Sequence, residues 1–140
     1  MPTLVRVIPL VLCLLCVTGC DEKSPVGPTV LLNQRFTLTP GEAAAIEDTD
    51  LRIQFIQVSG DSRCPADAVC ILGGDAIVRV RVYDGGDSPT AYDLHTGDSS
   101  RASIVHGGVR VTLVELQPYP FSSRTIAPGD YRVTLAATSQ

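Results

Sequence analysis

Short segments in which apolar and polar residues alternate constrain this chain more than any other feature of its sequence. Residues 76–83 are the clearest case, because valines occupy every second position and arginines lie between them. Successive side chains of a β-strand point to opposite faces, so this spacing predicts a strand with one buried and one solvent-facing side. The residues predicted to face inward are Val78, Val80 and Val82, and those predicted to face outward are Arg79 and Arg81.

The same alternation recurs between turn signals after residue 30, and no segment there has convincing helical periodicity. It predicts eight strands, at residues 34–38, 42–46, 51–59, 76–83, 91–96, 103–105, 109–116 and 131–136. The alternation slips at Phe55 and Ile56, which indicates a β-bulge. We therefore expect an all-β fold in residues 31–140: a single antiparallel β-sandwich of the immunoglobulin-like or Greek-key type, with seven or eight short strands and one disulfide.

Arginines recur on the outward faces of the predicted strands, at Arg52, Arg79, Arg81, Arg110 and Arg132. One interpretation is a basic sheet face that binds an anion. The other is that the arginine stems cover the outer sheet surface while their charged ends pair with nearby carboxylates. We favour the second interpretation, because acidic residues outnumber basic ones and cross-strand charge pairs are common in sheets.

An apolar block at residues 7–17 follows the basic residue Arg6 and ends in Val17-Thr18-Gly19-Cys20. The block is shorter than the ~20 residues that a membrane-spanning helix needs, and it has the length of a signal-peptide core. Its ending resembles the lipobox, the processing site of bacterial lipoproteins. The resemblance implies that residues 1–19 are a lipoprotein signal peptide and that Cys20 becomes the lipid-modified N-terminus.

Residues 20–30 are predicted to form the lipidated cysteine and a flexible tether, because Pro25, Gly27 and Pro28 interrupt a polar segment. The lipid would anchor the protein to a bacterial membrane. The domain would then lie in the cell envelope and face the periplasm or the exterior. The sequence leaves open the choice between the inner and the outer membrane, and also the oligomeric state.

The charge of the chain argues against a nucleic-acid partner. All 15 acidic residues follow Cys20, against 10 of the 11 basic residues, so the processed chain has a net charge of −5. Nucleic-acid phosphates are recognised by lysine and arginine, to which an acidic chain is poorly suited. The chain also has no Trp and only seven aromatic residues, which weakens the case for sugar or base stacking as the main activity.

Removal of the signal peptide and lipidation of Cys20 leave one pair of cysteines, Cys64 and Cys70. In an exported chain this pair predicts a structural disulfide that closes a short ring. A zinc site would need two further ligands, and the only histidines are His95 and His106, on weakly predicted strands. The Cys-x-x-Cys spacing of redox pairs and the haem-attachment motif are both absent. We therefore expect no metal site and no cofactor.

The cysteines lie in a segment that resembles a group of small, uncharacterised bacterial envelope lipoproteins. The likeness rests on Asp61-Ser62-Arg63-Cys64-Pro65, Cys70 and Gly74, and later on Leu116-Gln117-Pro118-Tyr119-Pro120 and Asp130-Tyr131. It covers roughly residues 36–135. In that group a Trp-Ala pair often precedes the glycine, whereas this chain has Leu72-Gly73 there. The resemblance implies a lipid-anchored β-domain, and it brings no known activity and no catalytic residues.

Four residues in these motifs are candidates for binding a partner, namely Asp61, Arg63, Tyr119 and Phe121. Asp61 and Arg63 flank the tight ring and could present charges, but we favour a salt bridge between them that shapes the loop. Prolines stiffen the loop around Tyr119, which lowers the ordering cost of presenting Tyr119 and Phe121 to a partner. The alternative that we favour is that both rings fold back over the open end of the core.

The leading functional hypothesis is a non-enzymatic envelope module that binds another protein, or has a structural role, through loops at one end of the sandwich. Another non-enzymatic hypothesis is an inhibitor of envelope proteases that presents the disulfide-closed loop at residues 65–69. In either case the chain would act by offering a rigid surface and would need no catalytic residues.

The competing hypothesis is a hydrolase or metal-dependent binder that uses polar residues of the turns at 84–106. The residues concerned are Asp93, His95, Asp98, Ser99, Ser100, Ser103 and His106. The segment lacks a Gly-x-Ser-x-Gly or Ser-x-x-Lys motif, and residues of these types are also common in the turns of β-proteins. The turn at residues 84–87 lacks the full ligand spacing of a calcium-binding loop.

Overall fold

The computed structural model describes residues 27–140 and contains nine β-strands in that range. They are β1 (Thr29–Val30), β2 (Arg35–Leu38), β3 (Ala43–Ile46), β4 (Arg52–Asp61), β5 (Ala76–Tyr83), β6 (Thr90–His95), β7 (Ser103–His106), β8 (Val109–Gln117) and β9 (Arg132–Ser139). Two short 3₁₀ segments, Ser99–Arg101 and Pro128–Asp130, are the only helical elements of this part of the chain. None of its helices is long and apolar enough to cross a membrane. The predicted signal peptide and Cys20 lie outside the described residues.

All eight strands predicted from alternation are present, and β5 has the predicted ends. The side chains predicted to face inward on β5, Val78, Val80 and Val82, are buried. Apolar side chains at alternate positions of the other strands are buried as well, among them Ile53, Phe55, Val111, Val133 and Leu135. The ninth strand corrects the prediction, which counts seven or eight strands and assigns Thr29 and Val30 to the tether. A strand of two residues offers no alternation from which it could be predicted.

The nine strands form two sheets. One sheet has the order β1-β3-β4-β5-β6, and the other has the order β2-β9-β8-β7. Neighbouring strands are antiparallel except for β1 and β3, which run parallel with Thr29 opposite Ala45. The prediction of purely antiparallel pairing is therefore wrong at the edge where the chain enters the first sheet.

Buried apolar side chains of both sheets belong to one hydrophobic cluster. Its largest fully buried members include Phe55, Leu38, Ile46, Ile53, Leu94 and Leu135. Complete burial of one such side chain contributes about 1.5–3 kcal/mol relative to leaving it in water. The cluster therefore fixes the two sheets relative to each other, and the loops at the sheet ends are positioned by it.

The β4–β5 hairpin extends beyond the rest of its sheet. β3 begins at Ala43, which lies opposite Gln54, so the remainder of β4 has β5 as its only neighbour among the described strands. The register between β4 and β5 shifts at Ile56 and again at Ser59. The first shift confirms the predicted bulge, and bulges of this kind bend and twist a strand.

The hairpin ladder continues past the last residue of β4. The N–H of Ser62 donates to the carbonyl of Asp75 at 2.7 Å, and the N–H of Cys64 donates to the carbonyl of Gly73 at 2.9 Å. We name residues 65–72, which lie between these paired segments, the hairpin tip. Because both sides of its base are hydrogen-bonded, the hairpin tip is held at a defined position.

The domain has two distinct ends along the strand direction. We name the end that carries the hairpin tip the loop end, and it also carries the connection between β8 and β9. The opposite end, which we name the turn end, carries the turns at residues 47–50 and 84–87. Loops positioned by a rigid sheet are common binding surfaces, so both ends are candidates for a functional site.

The buried ring of Phe55 and the half-exposed ring of Phe121 provide a matched test of where the core lies. We expect Phe55→Ala to lower the free energy of unfolding by about 3–5 kcal/mol, because it removes core contacts and leaves a cavity. Phe121→Ala, the same change outside the core cluster, should lower it by less than about 1 kcal/mol. Urea unfolding followed by circular dichroism measures both values. Equal losses in the two variants would contradict this placement of the core.

Candidate functional site

The predicted disulfide is present at the loop end. Cys64 and Cys70 are bonded, with their Cα atoms 5.9 Å apart, and they close a ring within the β4–β5 hairpin. Inside the ring the N–H of Ala68 donates to the carbonyl of Pro65 at 3.1 Å, so the backbone turns back on itself. The ring is therefore a compact turn and not an extended segment.

The hairpin tip is hydrogen-bonded to a second loop, residues 118–121, which we name the proline loop. The N–H of Ala66 donates to the carbonyl of Pro120 at 2.9 Å. In return, the N–H of Ser122 donates to the carboxylate of Asp67 at 2.8 Å. These two bonds join segments more than fifty residues apart in sequence, so the hairpin tip and the proline loop form one surface.

Arg63 is the centre of the contacts beneath this surface, and only 8% of the residue is exposed. Its Nε and Nη2 atoms donate to both carboxylate oxygens of Asp61, at 2.8 and 2.6 Å. Its Nη1 donates to the carbonyl of Leu116 at 2.7 Å, and Nη2 also donates to the carbonyl of Pro118 at 3.0 Å. One guanidinium group thus connects the base of the hairpin tip to β8 and the proline loop.

Asp61 receives a further hydrogen bond from the hydroxyl of Tyr131, at 3.1 Å. Burial disfavours the charged carboxylate, but the hydrogen bonds from Arg63 and Tyr131 outweigh it and lower the pKa of Asp61. Burial together with the Asp61 charge raises the pKa of the Tyr131 phenol. The side chains of Arg63 and Asp61 are only 6% and 10% exposed, so the salt bridge predicted between them shapes the loops and offers a partner little charge.

Tyr119 and Phe121, the aromatic candidates of the proline loop, are 47% and 46% exposed. Neither ring belongs to the core cluster, so the prediction that both fold back over the core is wrong. Leu116 and Tyr131 are buried members of the cluster and occupy this end of it instead. The Tyr119 ring lies against the guanidinium group of Arg63, 5.3 Å from its centroid, as a cation–π pair.

Three aliphatic side chains of the hairpin tip are largely or fully exposed. The exposed fractions are 104% for Val69, 102% for Ile71 and 81% for Leu72. No pattern in the sequence predicted this exposure. The signal that could have done so is the uncharged run at residues 68–74, in which aliphatic residues follow a disulfide-closed turn instead of joining a strand.

A groove of about 640 Å³ opens beside the proline loop, and we name it the β8 groove. β7 pairs with β8 over Val109–Thr112, and the N–H of Leu113 still donates to the carbonyl of Ala102 at 2.8 Å on this side. On the other side, β9 pairs with β8 as far as Gln117. The C-terminal part of β8 therefore has a strand on one side and the groove on the other, among the described residues. The groove is lined by Tyr119 and Arg63, by residues 113–117, by Gly73 and Gly74, and by His95, Thr96, Gly97 and Ala102.

His95 lies in the wall of the β8 groove, and both of its ring nitrogens already have partners. Nδ1 is 2.5 Å from a carboxylate oxygen of Asp75, and Nε2 is 3.3 Å from Nη1 of Arg101. Because an arginine can only donate, Nε2 accepts and Nδ1 carries the proton that Asp75 accepts. Burial opposes the charge of Asp75, but hydrogen bonds from His95 and from the N–H of Gly97 outweigh it and lower its pKa.

His106 lies at the turn end, with its ring between two polar partners. Its Nδ1 is 2.8 Å from the hydroxyl of Tyr92, and its Nε2 is 3.1 Å from a carboxylate oxygen of Asp84. The polar residues proposed to form an enzymatic cluster are therefore divided, because β6 carries His95 to the loop end while His106 stays at the turn end. Neither imidazole keeps a nitrogen free to act as a general base on a serine.

The residues proposed for metal binding are also separated. Asp93 pairs with Arg79 across β5 and β6, at 2.8 and 2.9 Å, and Asp84 accepts a hydrogen bond from the N–H of Gly86. Residues 27–140 contain no group of three His, Cys, Asp or Glu side chains that could hold a metal ion. The Arg79 pair also matches the preferred interpretation of the outward arginines. The guanidinium group of Arg52 differs, because it lies 4.2 Å from the centroid of the Tyr83 ring as a cation–π pair.

Comparison with known proteins gives no assignment for this chain. No family model matches it, and no curated protein and no solved structure does.

The buried Asp61–Arg63 pair and the exposed Arg79–Asp93 pair give a matched test of the network beneath the loops. We expect Arg63→Ala to lower the free energy of unfolding by about 3–5 kcal/mol, because it leaves the Asp61 carboxylate buried without a partner. Arg79→Ala removes an ion pair whose side chains are 44% and 39% exposed, and should cost only about 0–1 kcal/mol. Chemical unfolding of both variants measures the difference, and similar costs would refute a special role for Arg63.

Proposed function

We propose that this protein is a lipid-anchored, non-enzymatic module of the bacterial cell envelope that binds another envelope protein through the β8 groove. The lipid would be carried by Cys20, and residues 1–19 would be removed as a signal peptide. We also propose that the two sheets pack as a single β-sandwich, since buried side chains of both belong to one cluster. The proposed location agrees with the resemblance of the disulfide segment to small envelope lipoproteins.

The observation that carries this proposal is the open edge of β8 in the floor of the groove. An extended segment of a partner can pair with such an edge through backbone hydrogen bonds, while pockets beside the edge select its side chains. Val114 and Tyr119 offer apolar contact along the groove, and Glu115 and Gln117 offer polar groups. A protein segment therefore suits the groove better than a small ligand without a backbone.

Arg63 restricts where a partner can pair. Its guanidinium group already uses the carbonyl of Leu116, so that part of the β8 edge is capped from within the domain. Pairing would thus centre on Val114 and Glu115, with Tyr119 beside them. The cap also limits uncontrolled edge-to-edge association, which an unprotected strand edge promotes.

The rigidity of the groove walls supports binding over catalysis. The disulfide, the Arg63 contacts and the bonds between the hairpin tip and the proline loop fix the walls before a partner arrives. Preorganisation of this kind lowers the entropic cost of association. Both histidines are engaged by neighbours, so the hydrolase hypothesis has no observation in its favour.

The protease-inhibitor hypothesis is also weakly supported. Backbone N–H groups of the ring, those of Ala66 and Ala68, are used in hydrogen bonds within the protein. A protease binds an extended segment through such backbone groups, and the ring is instead folded into a turn. The groove is therefore the better candidate for the site of recognition.

Site-specific photocrosslinking in cells tests the proposal. We expect benzoylphenylalanine at position 119 to capture one envelope protein, because Tyr119 borders the groove. The same probe at Ser88, an exposed residue of the turn end, should not capture it. Mass spectrometry of the adducts identifies the captured protein in each case.

Two matched variants decide whether the groove is responsible. Val114→Asp, in the groove wall, should abolish the adduct formed from position 119, whereas Val105→Asp, on β7 outside the groove, should leave it unchanged. The two valines are similarly exposed, at 38% and 39%. No adduct from position 119, or an adduct insensitive to Val114→Asp, would count against the proposed function.

A further inference from the structure

We propose that the hairpin tip inserts into the surface of the same bilayer that holds the lipidated Cys20, so that the domain contacts the membrane at two places. This inference rests on the proposed lipid anchor and goes beyond it, since it concerns the apolar tip and not the β8 groove. The tip would orient the domain with its loop end toward the membrane.

The composition of the hairpin tip fits a membrane interface. Val69, Ile71 and Leu72 expose nearly all of their apolar surface to solvent, within an uncharged run at residues 68–74. The one carboxylate of the tip, Asp67, is exposed and accepts a hydrogen bond from the N–H of Ser122. Exposed aliphatic side chains partition favourably into the headgroup and acyl boundary of a bilayer.

Aromatic side chains lie directly beside the tip. Phe121 and Tyr119 belong to the proline loop, which is bonded to the tip through Ala66 and Pro120, and each ring is about half exposed. Tyrosine is enriched at the level of lipid headgroups, where its ring contacts apolar groups and its hydroxyl stays hydrated. The aliphatic side chains of the tip thus suit the acyl boundary of a bilayer, and the neighbouring aromatic rings suit the level of its headgroups.

The chain direction in β1 is consistent with this orientation. β1 runs parallel to β3, and β3 runs antiparallel to β4, which ends at the hairpin tip. The chain therefore enters β1 while running away from the loop end. The start of β1 thus lies nearer the loop end than its last residue does.

The length of the chain before β1 allows both contacts at once. Gly27 lies against the backbone of Ala43, and Ala43 is opposite Gln54 of β4. β4 continues for seven residues beyond Gln54 and ends at Asp61. At roughly 3.3 Å per residue, the distance along β4 from the level of Gly27 to Asp61 is about 23 Å. The seven residues from Cys20 to Gly27 span at most about 25 Å when extended. The lipid on Cys20 can therefore reach the level of Asp61, below the base of the hairpin tip, and the tip projects beyond that level.

The turn end is poorly suited to the same surface. Its turns at residues 47–50 and 84–87 carry five carboxylates and no basic residue, namely Glu47, Asp48, Asp50, Asp84 and Asp87. Membrane surfaces that contain anionic lipids repel such charges. Charge and apolar exposure thus favour the same orientation, with the loop end against the bilayer.

Depth-dependent fluorescence quenching tests the inference on the full lipidated protein. The chain has no Trp, so Leu72→Trp introduces a single probe at the tip, and Ser88→Trp introduces a matched probe at the turn end. Both variants are reconstituted into vesicles of phosphatidylethanolamine and phosphatidylglycerol, with and without nitroxide-labelled lipid. We expect about twofold quenching and a blue-shifted emission for the tip probe, and neither effect for the turn-end probe.

A third variant and a flotation assay separate the possible failures. Adding Ile71→Asp to Leu72→Trp should reduce quenching to the level of the Ser88→Trp control, because a charge at that position opposes insertion. Failure of the unmodified protein to float with vesicles would refute the lipid anchor and, with it, the inference. Flotation with an unquenched tip probe would refute the inference alone. A tip probe that is blue-shifted only when another protein is added would also overturn it, in favour of a protein partner at the tip.

Discussion

The buried ion pair between Asp61 and Arg63 is the interaction on which the loop end depends. A charged pair removed from water stabilises a protein only when its remaining hydrogen-bonding groups are also satisfied. Here the carbonyls of Leu116 and Pro118 accept from Arg63, and the hydroxyl of Tyr131 donates to Asp61. The pair therefore acts as a connector between three segments that are distant in sequence, and the position of the hairpin tip relative to β8 follows from it.

The Asp61–Arg63 pair holds two surfaces in place, the β8 groove and the hairpin tip, and their side chains suit different partners. The β8 groove combines an open strand edge with apolar and polar side chains, which suits a polypeptide partner. The hairpin tip combines exposed aliphatic side chains with little charge, which suits a lipid surface. If the tip rests on the membrane, the groove is held close to the bilayer. A partner recognised there would be a membrane protein or a protein that works at the membrane surface.

The sequence predicted much of the fold because strand alternation is a local signal. Val78, Val80 and Val82 reveal the buried face of β5 without knowledge of any other segment. The two-residue β1 could not be predicted, since its only support is pairing with β3. The candidate site was less predictable, because it too depends on contacts between segments that are distant in sequence. The cysteines imply the ring, but the groove and the exposed rings of the proline loop depend on contacts such as Ala66 with Pro120, which no local pattern encodes.

Amide hydrogen exchange of the oxidised protein tests the central claim that the two loops form one fixed surface. The informative amides are those of Ala66 and Ser122, which lie in exposed segments and donate across the two loops. If the loops open only with the Arg63 network, both amides should exchange at least about 100-fold more slowly than in an unstructured peptide. Exchange of both at the unstructured rate would show that the loops move independently, and would contradict the account.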